Sequence, residues 1–160
     1  MVSLGSWAIN DALTQLRSWI DAGHCSPSTT MSVNVSVRQL HDPHFVSVVS
    51  EALSRARMQP QQLWLEMTES IMITEPEQAL AALRRLNTLG VRIAIDDFGT
   101  GYSSLSLLQS FPIQRLKIDR SFISGIADDV SARSIVKTIL AMSDALGLDT
   151  VAEGVETERQ

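Results

Sequence analysis

The feature that most constrains the fold is a repeated alternation of short apolar runs with amphipathic stretches of helical period. Five runs have strand length and composition: "MSVNVSV" (31–37), "LWLEM" (63–67), "VRIAID" (91–96), "RLKID" (115–119) and "DTVAE" (149–153). Ile9, Leu13, Leu16 and Ile20 fall on one helical face, and Phe45, Val49, Ala52 and Ala56 form a second stripe. Ala79, Leu83 and Leu86 line a third helix that Pro76 opens and Gly90 closes. Ile135, Ile139, Met142 and Leu146 stripe a fourth, with Gly147 just beyond it. Only a short helix fits around residues 103–110. Strands separated by helices must pair in parallel through right-handed crossovers. Two architectures satisfy this, an open doubly wound sheet and a (β/α)8 barrel. No glycine-rich fingerprint opens a helix after the first strand, which argues against the dinucleotide-binding form of the open sheet.

The 160 residues suffice for one domain with a core. A net charge of −5 gives no broad attraction to a DNA or RNA polymer or to an anionic membrane. An acidic protein acting on an anion needs a local positive centre, and a bound cation supplies one. Cys25 is the only cysteine, so there is no disulfide framework, and a cytoplasmic setting is expected. No apolar run approaches the ~18 residues of a membrane span, and the first residues do not resemble a signal peptide. The chain opens inside a helix pattern and stops just after a strand, so it is expected to be cut at both ends. Trp7, Trp19 and Trp64 read as packing residues, and His24, His41 and His44 as loop residues.

The strand ends carry the chemistry. The first strand holds Asn34 and Ser36, the second ends at Glu66 with Glu69 close behind, and the third ends at Asp96 and Asp97. The fourth carries Lys117 and Asp119, and Glu153 ends the fifth, with Glu156 following. In a parallel β/α fold the carboxyl ends of all strands meet on one face, so these side chains are expected to converge. Buried there without partners, each would cost several kcal/mol. One strand-end carboxylate is an ordinary helix cap; polar groups on every consecutive strand end are not. Carboxylates and an amide oxygen, with no Cys or His in reach, suit hard cations: Mg2+ or Mn2+, with Ca2+ a candidate inhibitor. Asp96 and Asp97 can serve two ions, and a pair ~3.5–4 Å apart clamps an in-line phosphoryl displacement. Lys117 can orient the attacking water or meet phosphate charge, and Glu153 can accept the proton. Lys117 and Asp119, two apart on a strand, also face one side as an ion pair. Gly99 and Gly101 let the next loop bend close to metal or substrate. Arg38, Arg115 and Arg120 are candidate phosphate contacts.

"SVNVSVRQL", "LWLEMTES", "IAIDDFGTGYSSLSLLQSFPIQRLKIDRSF" and "DTVAEGVET" together resemble the motifs of the EAL-domain family, bacterial phosphodiesterases that hydrolyse cyclic di-GMP to linear pGpG. The resemblance implies an α/β fold, a TIM-type (β/α)8 barrel of which about five parallel strands are present, and a fragment of the domain over residues 1–160. It implies Asn34, Glu66, Asp96 and Asp97 as metal ligands supported by Asp119, with Lys117 and Glu153 at the water and Glu153 as base. It implies Glu69 as a tether for the glycine loop and Glu156 as support on the substrate side. Met67 stands where leucine is usual, and the Glu-Ala-Leu segment itself is expected upstream of Met1. Such a piece is expected to be inactive or barely active alone and to associate through open sheet edges. A non-catalytic cyclic di-GMP receptor is an alternative. So is a regulatory module dimerising through the glycine loop, with Phe98 and Tyr102 at its surface. A homodimer in the complete domain and sensor or GGDEF domains in the parent chain complete the expectation.

Overall fold

The computed structural model describes residues 4–72, 76–101 and 105–160. Five strands form one parallel sheet: β1 (Met31–Asn34), β2 (Leu63–Thr68), β3 (Arg92–Phe98), β4 (Arg115–Ile118) and β5 (Asp149–Ala152). Their spatial order is β1-β2-β3-β4-β5, the order of the sequence. A doubly wound sheet reverses its strand order once; a barrel advances without reversal. The order therefore decides between the two architectures, and the sheet is a sector of a TIM-type barrel.

Right-handed crossovers with no reversal place every helix on one face of the sheet. That face is apolar: Leu63, Leu65, Met67, Ile93, Ile95, Leu116 and Ile118 belong to one core cluster with the helices. The first long helix, α1 (Leu4–Asp21), buries Ile9, Leu13 and Leu16 against α3 (Phe45–Ala56) and β1, with Ile20 half-buried. In α3 the buried positions include Phe45, Val49, Ala52 and Ala56, and in α4 (Pro76–Leu89) they are Ala79, Leu83 and Leu86, as their spacing predicts. Beyond α4 come α5 (Leu105–Ser110), α6 (Arg120–Ser124) and α7 (Val130–Leu146). Residues 103 and 104, which the sequence places in α5, lie outside the described residues, as does Tyr102.

Several local expectations change. The first strand stops at Asn34, not residue 37, because Ser36 opens α2 (Val37–Leu40). The Ser36 side chain accepts from Gln39 N, while Gln39 Oε1 accepts from Ser36 N at 3.1 Å, a capping box spelled "SVRQ". On α7 the buried face runs through Ala132, Val136, Ile139 and Ser143, and Ile135 is 41% exposed. Small residues let that face sit close to the sheet and Ile135 turns outward, while Met142 and Leu146 stay half-buried against the core. Phe98 is a core residue paired with Ile118, not a surface residue of the glycine loop. Trp64 is buried, but Trp7 and Trp19 are exposed and pack in no core. Among the described residues, no helix is long and apolar enough to cross a membrane.

Candidate active site at the carboxyl ends of the strands

The opposite face of the sheet is polar. Parallel register partners share a face, so Trp64, Glu66 and Thr68 of β2 line up with Arg92, Ala94 and Asp96 of β3. At the amino end, the Arg115 guanidinium lies 3.9 Å from the Trp64 ring centroid and Arg92 lies 5.3 Å from it. Arg115 also meets Asp149 at 3.5 Å. This stack lies at the other end of the sheet from the carboxylates, so Arg115 is a floor residue and not a phosphate contact.

Toward the carboxyl end, Lys117 is the hub. Its Nζ lies 2.8 Å from Glu66 Oε2, 2.8 Å from Asp96 Oδ1 and 2.7 Å from Glu153 Oε1. An ammonium has three N–H donors, and these three carboxylates take all of them. Burial alone would lower the lysine's pKa; the bonds to Asp96, Glu153 and Glu66 outweigh it and raise the pKa above its ordinary value. Lys117 does not pair with Asp119. Asp119 is the N-cap of α6, accepting from Ser121 N at 3.0 Å, because the helix begins at Arg120 and turns the chain away.

Asp96 and Asp97 stand together through a backbone irregularity. Neighbours on a regular strand point to opposite faces. Here Ile95 pairs with Leu116 and Phe98 with Ile118, so two β3 residues oppose the single Lys117. Asp97 adopts φ +52°, a left-handed conformation costing a non-glycine residue about 1–2 kcal/mol. The bulge brings both aspartates to one side: one carboxylate oxygen each from Asp96, Asp97 and Glu153 lies within 4.8 Å of the others. Burial, and then the charges of Asp96, Asp119 and Glu153, push the Asp97 carboxyl above the usual range, and Asp119 is within hydrogen-bond reach of it. Hydrogen bonds from Ser121 hold Asp119 below that range.

The glycine loop is held from below. Glu69, 4% exposed, accepts from Gly99 N at 3.2 Å and Gly101 N at 3.1 Å through one oxygen. A Cβ on Gly101 would sit 3.0 Å from the Glu69 carboxyl carbon, so a side chain there would press on the Glu69 tether. Asn34 pairs in register with Glu66 at the sheet edge; its exposed side chain lines a cavity of about 780 Å3 shared with Ser36 and Arg38. Glu156 lines a separate cavity of about 320 Å3 with Arg120, Ser121 and Gly154. The structure thus gathers Glu66, Asp96, Asp97, Lys117, Asp119 and Glu153, ties Glu69 to the glycine loop, and leaves Asn34, Arg38 and Glu156 at the rim. Gln160 was missed: its amide accepts from Glu156 N and Thr157 N at 2.8 and 3.0 Å, and no motif marked it.

Three carboxylates, from Glu66, Asp96 and Glu153, surround one ammonium, and those of Asp97 and Asp119 stand beside them. Their oxygens are hard donors, and the excess negative charge fits a divalent cation. Among the described residues, Asp96, Asp97 and Glu153 are the one group of His, Cys, Asp or Glu close enough to share an ion.

Fold and site together define a β/α-barrel domain with an acidic, cation-suited centre where its strands end. The EAL domain profile matches residues 1–160, and the chain belongs to that family. It is 43% identical over 160 residues to the bifunctional diguanylate cyclase/cyclic di-GMP phosphodiesterase MucR of Pseudomonas aeruginosa, covering all of this chain and 23% of that protein. The chain therefore spans about a quarter of this curated relative's length. The solved MucR phosphodiesterase in complex with c-di-GMP superposes with a TM-score of 0.88, at 43% identity, covering 97% of this chain and 62% of that one. The EAL domain of Mycobacterium smegmatis DcpA gives 0.91 at 39% identity, covering 98% and 70%. Klebsiella pneumoniae BlrP1, solved with cyclic di-GMP and calcium or manganese, gives 0.82 at 29% identity, covering 96% and 39%.

Proposed function

We propose that these residues form the catalytic mouth of a cyclic di-GMP phosphodiesterase, which in the parent protein hydrolyses that dinucleotide to linear pGpG. The observation that carries the reading is the Asp96–Asp97–Glu153 trio, three carboxylates brought within 4.8 Å by a bulge that puts both aspartates on one side. Asn34, Glu66, Asp96 and Asp97 hold Mg2+ or Mn2+, with Asp119 steadying Asp97; Ca2+ competes as an inhibitor. The bound cation supplies phosphate charge neutralisation and a water of lowered pKa.

The protein's own groups do the rest. Glu153, oriented by its 2.7 Å bond to Lys117, accepts the proton of the attacking water. The P–O bond to one ribose 3′ oxygen breaks, and that oxygen leaves with a proton, giving a 5′-phosphate and a 3′-hydroxyl. Lys117 reaches water or phosphate only by giving up one of its three carboxylate partners, so its role begins when ligand displaces one of those bonds. Arg38, beside Asn34, meets a phosphate oxygen at the rim, and Glu156 supports the substrate side. Gly99 and Gly101, tied to Glu69, shape the loop over the site.

Five strands close no eight-stranded barrel, and β1 and β5 each pair on one side only among the described residues. Turnover by these 160 residues alone is therefore expected to be absent or barely detectable. The complete domain works as a cytoplasmic homodimer linked to sensor or GGDEF domains. The test is incubation of cyclic di-GMP with Mg2+ or Mn2+ and the complete domain carrying this sequence, with chromatography of the products. Appearance of pGpG, abolished by Asp96→Asn, supports the reading. Tight binding without consumption in saturating metal identifies a receptor and overturns it.

A further inference from the structure

We propose that α6 is a brace that fixes the distance between Glu153 and the Asp96–Asp97 pair, with Arg120 and Phe122 as its positioning residues. The proposal rests on the proposed function, with Glu153, whose carboxylate oxygen lies within 4.8 Å of those of Asp96 and Asp97, also facing the cation before substrate arrives and acting as base once water and substrate are bound. The two segments bearing these carboxylates follow different strands, yet each is moulded against α6 at a glycine. Gly99, the second residue after Asp97, has φ +99°, and a Cβ there would lie 2.7 Å from Phe122 Cε2. Gly154, directly after Glu153, has φ +68°, and a Cβ there would lie 2.7 Å from Arg120 Cβ. Both distances are shorter than real Cβ contacts, so neither position accepts a side chain without movement. The far end of the second segment is anchored on the same helix: Gln160 Nε2 reaches Ile123 O and Ser124 O at 3.4 Å each.

Glu153 is held to β4, its N donating to Ile118 O at 3.1 Å and its carboxylate meeting Lys117 at 2.7 Å. Among the described residues no ladder bond continues past it, so the chain from Gly154 onward is left free to tilt that carboxylate. Contact of Gly154 with the Arg120 backbone and Cβ removes that freedom, and Phe122 against Gly99 does the same for the loop after Asp97. A short helix between the two makes their separation a property of one rigid element.

Asparagine tolerates left-handed backbone better than other L residues, so Gly154→Asn tests the contact with Arg120 apart from the φ requirement. The probe is Mn2+ alone, titrated into the complete domain carrying this sequence and followed by electron paramagnetic resonance, with thermal unfolding in EDTA as a control. Outer supports of a metal ligand are worth about 10- to 100-fold in affinity, and Gly154→Asn is expected to weaken Mn2+ binding by about tenfold while the EDTA midpoint stays near wild type. Arg120→Gly, which removes the obstructing Cβ, is expected to restore affinity in the double variant. Phe122→Leu, a conservative change, is expected to weaken binding in the same direction through the other segment. Wild-type affinity in Gly154→Asn, or a loss that Arg120→Gly does not repair, overturns the brace. Wild-type protein that takes up no Mn2+ at all instead overturns the metal reading beneath it.

Discussion

Replacing Lys117 by methionine probes the central feature of the site, one ammonium shared by three carboxylates. Methionine keeps the stem's bulk and removes the charge. The Lys117 side chain is 14% exposed, and its partners Glu66, Asp96 and Glu153 are 13%, 16% and 30% exposed. Breaking a buried ion pair by deleting one partner costs about 3–5 kcal/mol, because the surviving charge is left uncompensated. Glu153 keeps some solvent, so the lower end applies, about 3 kcal/mol, or roughly 6–12 °C in Tm for a chain of this size. The assay is thermal and urea unfolding of wild type and Lys117→Met in EDTA, repeated with saturating Mn2+. A divalent ion bound by the same carboxylates replaces the missing positive charge, so the gap between the two proteins narrows in metal. Adding Asp96→Asn to Lys117→Met is expected to cost less than the two single changes combined, since the charge left stranded is then smaller. A gap below about 1 kcal/mol in EDTA would place the cluster among solvated surface pairs. That result would refute the argument that the lysine holds the site together.

The same lysine sets a pH window. Its pKa is raised in the folded protein, so its stabilisation is fully present below the unfolded value of about 10.4 and is lost as pH rises through the folded value. The wild-type advantage over Lys117→Met is expected to be flat from about pH 7 to 9, and calorimetry across that range checks it. Glu69→Ala removes the oxygen that holds Gly99 N and Gly101 N; with charged hydrogen bonds worth about 1.5–3 kcal/mol, both amides should exchange hydrogen at least about tenfold faster, as mass spectrometry or NMR would show. Arg57 caps α3 at φ +53°, a conformation glycine adopts without strain. Arg57→Gly is therefore expected to raise the unfolding free energy by up to about 1 kcal/mol after the entropy of the unfolded chain is allowed for, seen as a higher urea midpoint.

Much of this molecule was legible residue by residue. The stripe Ala79, Leu83, Leu86 was read correctly because one helical period, bounded by Pro76 and Gly90, has little competition. The stripe on α7 was read correctly at Ile139, Met142 and Leu146, which pack in or against the core, and missed at Ile135. Size alone favoured Ile135, whereas close packing on the sheet selected Ala132 and Ser143. The valine alternation through residue 37 was misread because strand period and a capping box overlap at Ser36, and the backbone bonds satisfied by "SVRQ" outweigh strand propensity. The convergence of Glu66, Asp96, Lys117 and Glu153 followed from topology, since parallel strands bring their ends to one place. The pairing of Lys117 with Asp119 did not hold, because alternation stops where β4 gives way to the cap of α6.

The sequence by itself determined the five strands and the longer helices between them, their parallel pairing, and which strand ends carry carboxylates, because periodicity and side-chain chemistry are local properties. Only the tertiary structure decided that strand order advances without reversal, that a bulge turns Asp97 beside Asp96, and that Lys117 spends all three donors on carboxylates from three other strand ends. Those outcomes depend on groups far apart in the chain competing for the same space and the same protons, and no local pattern encodes the result of that competition.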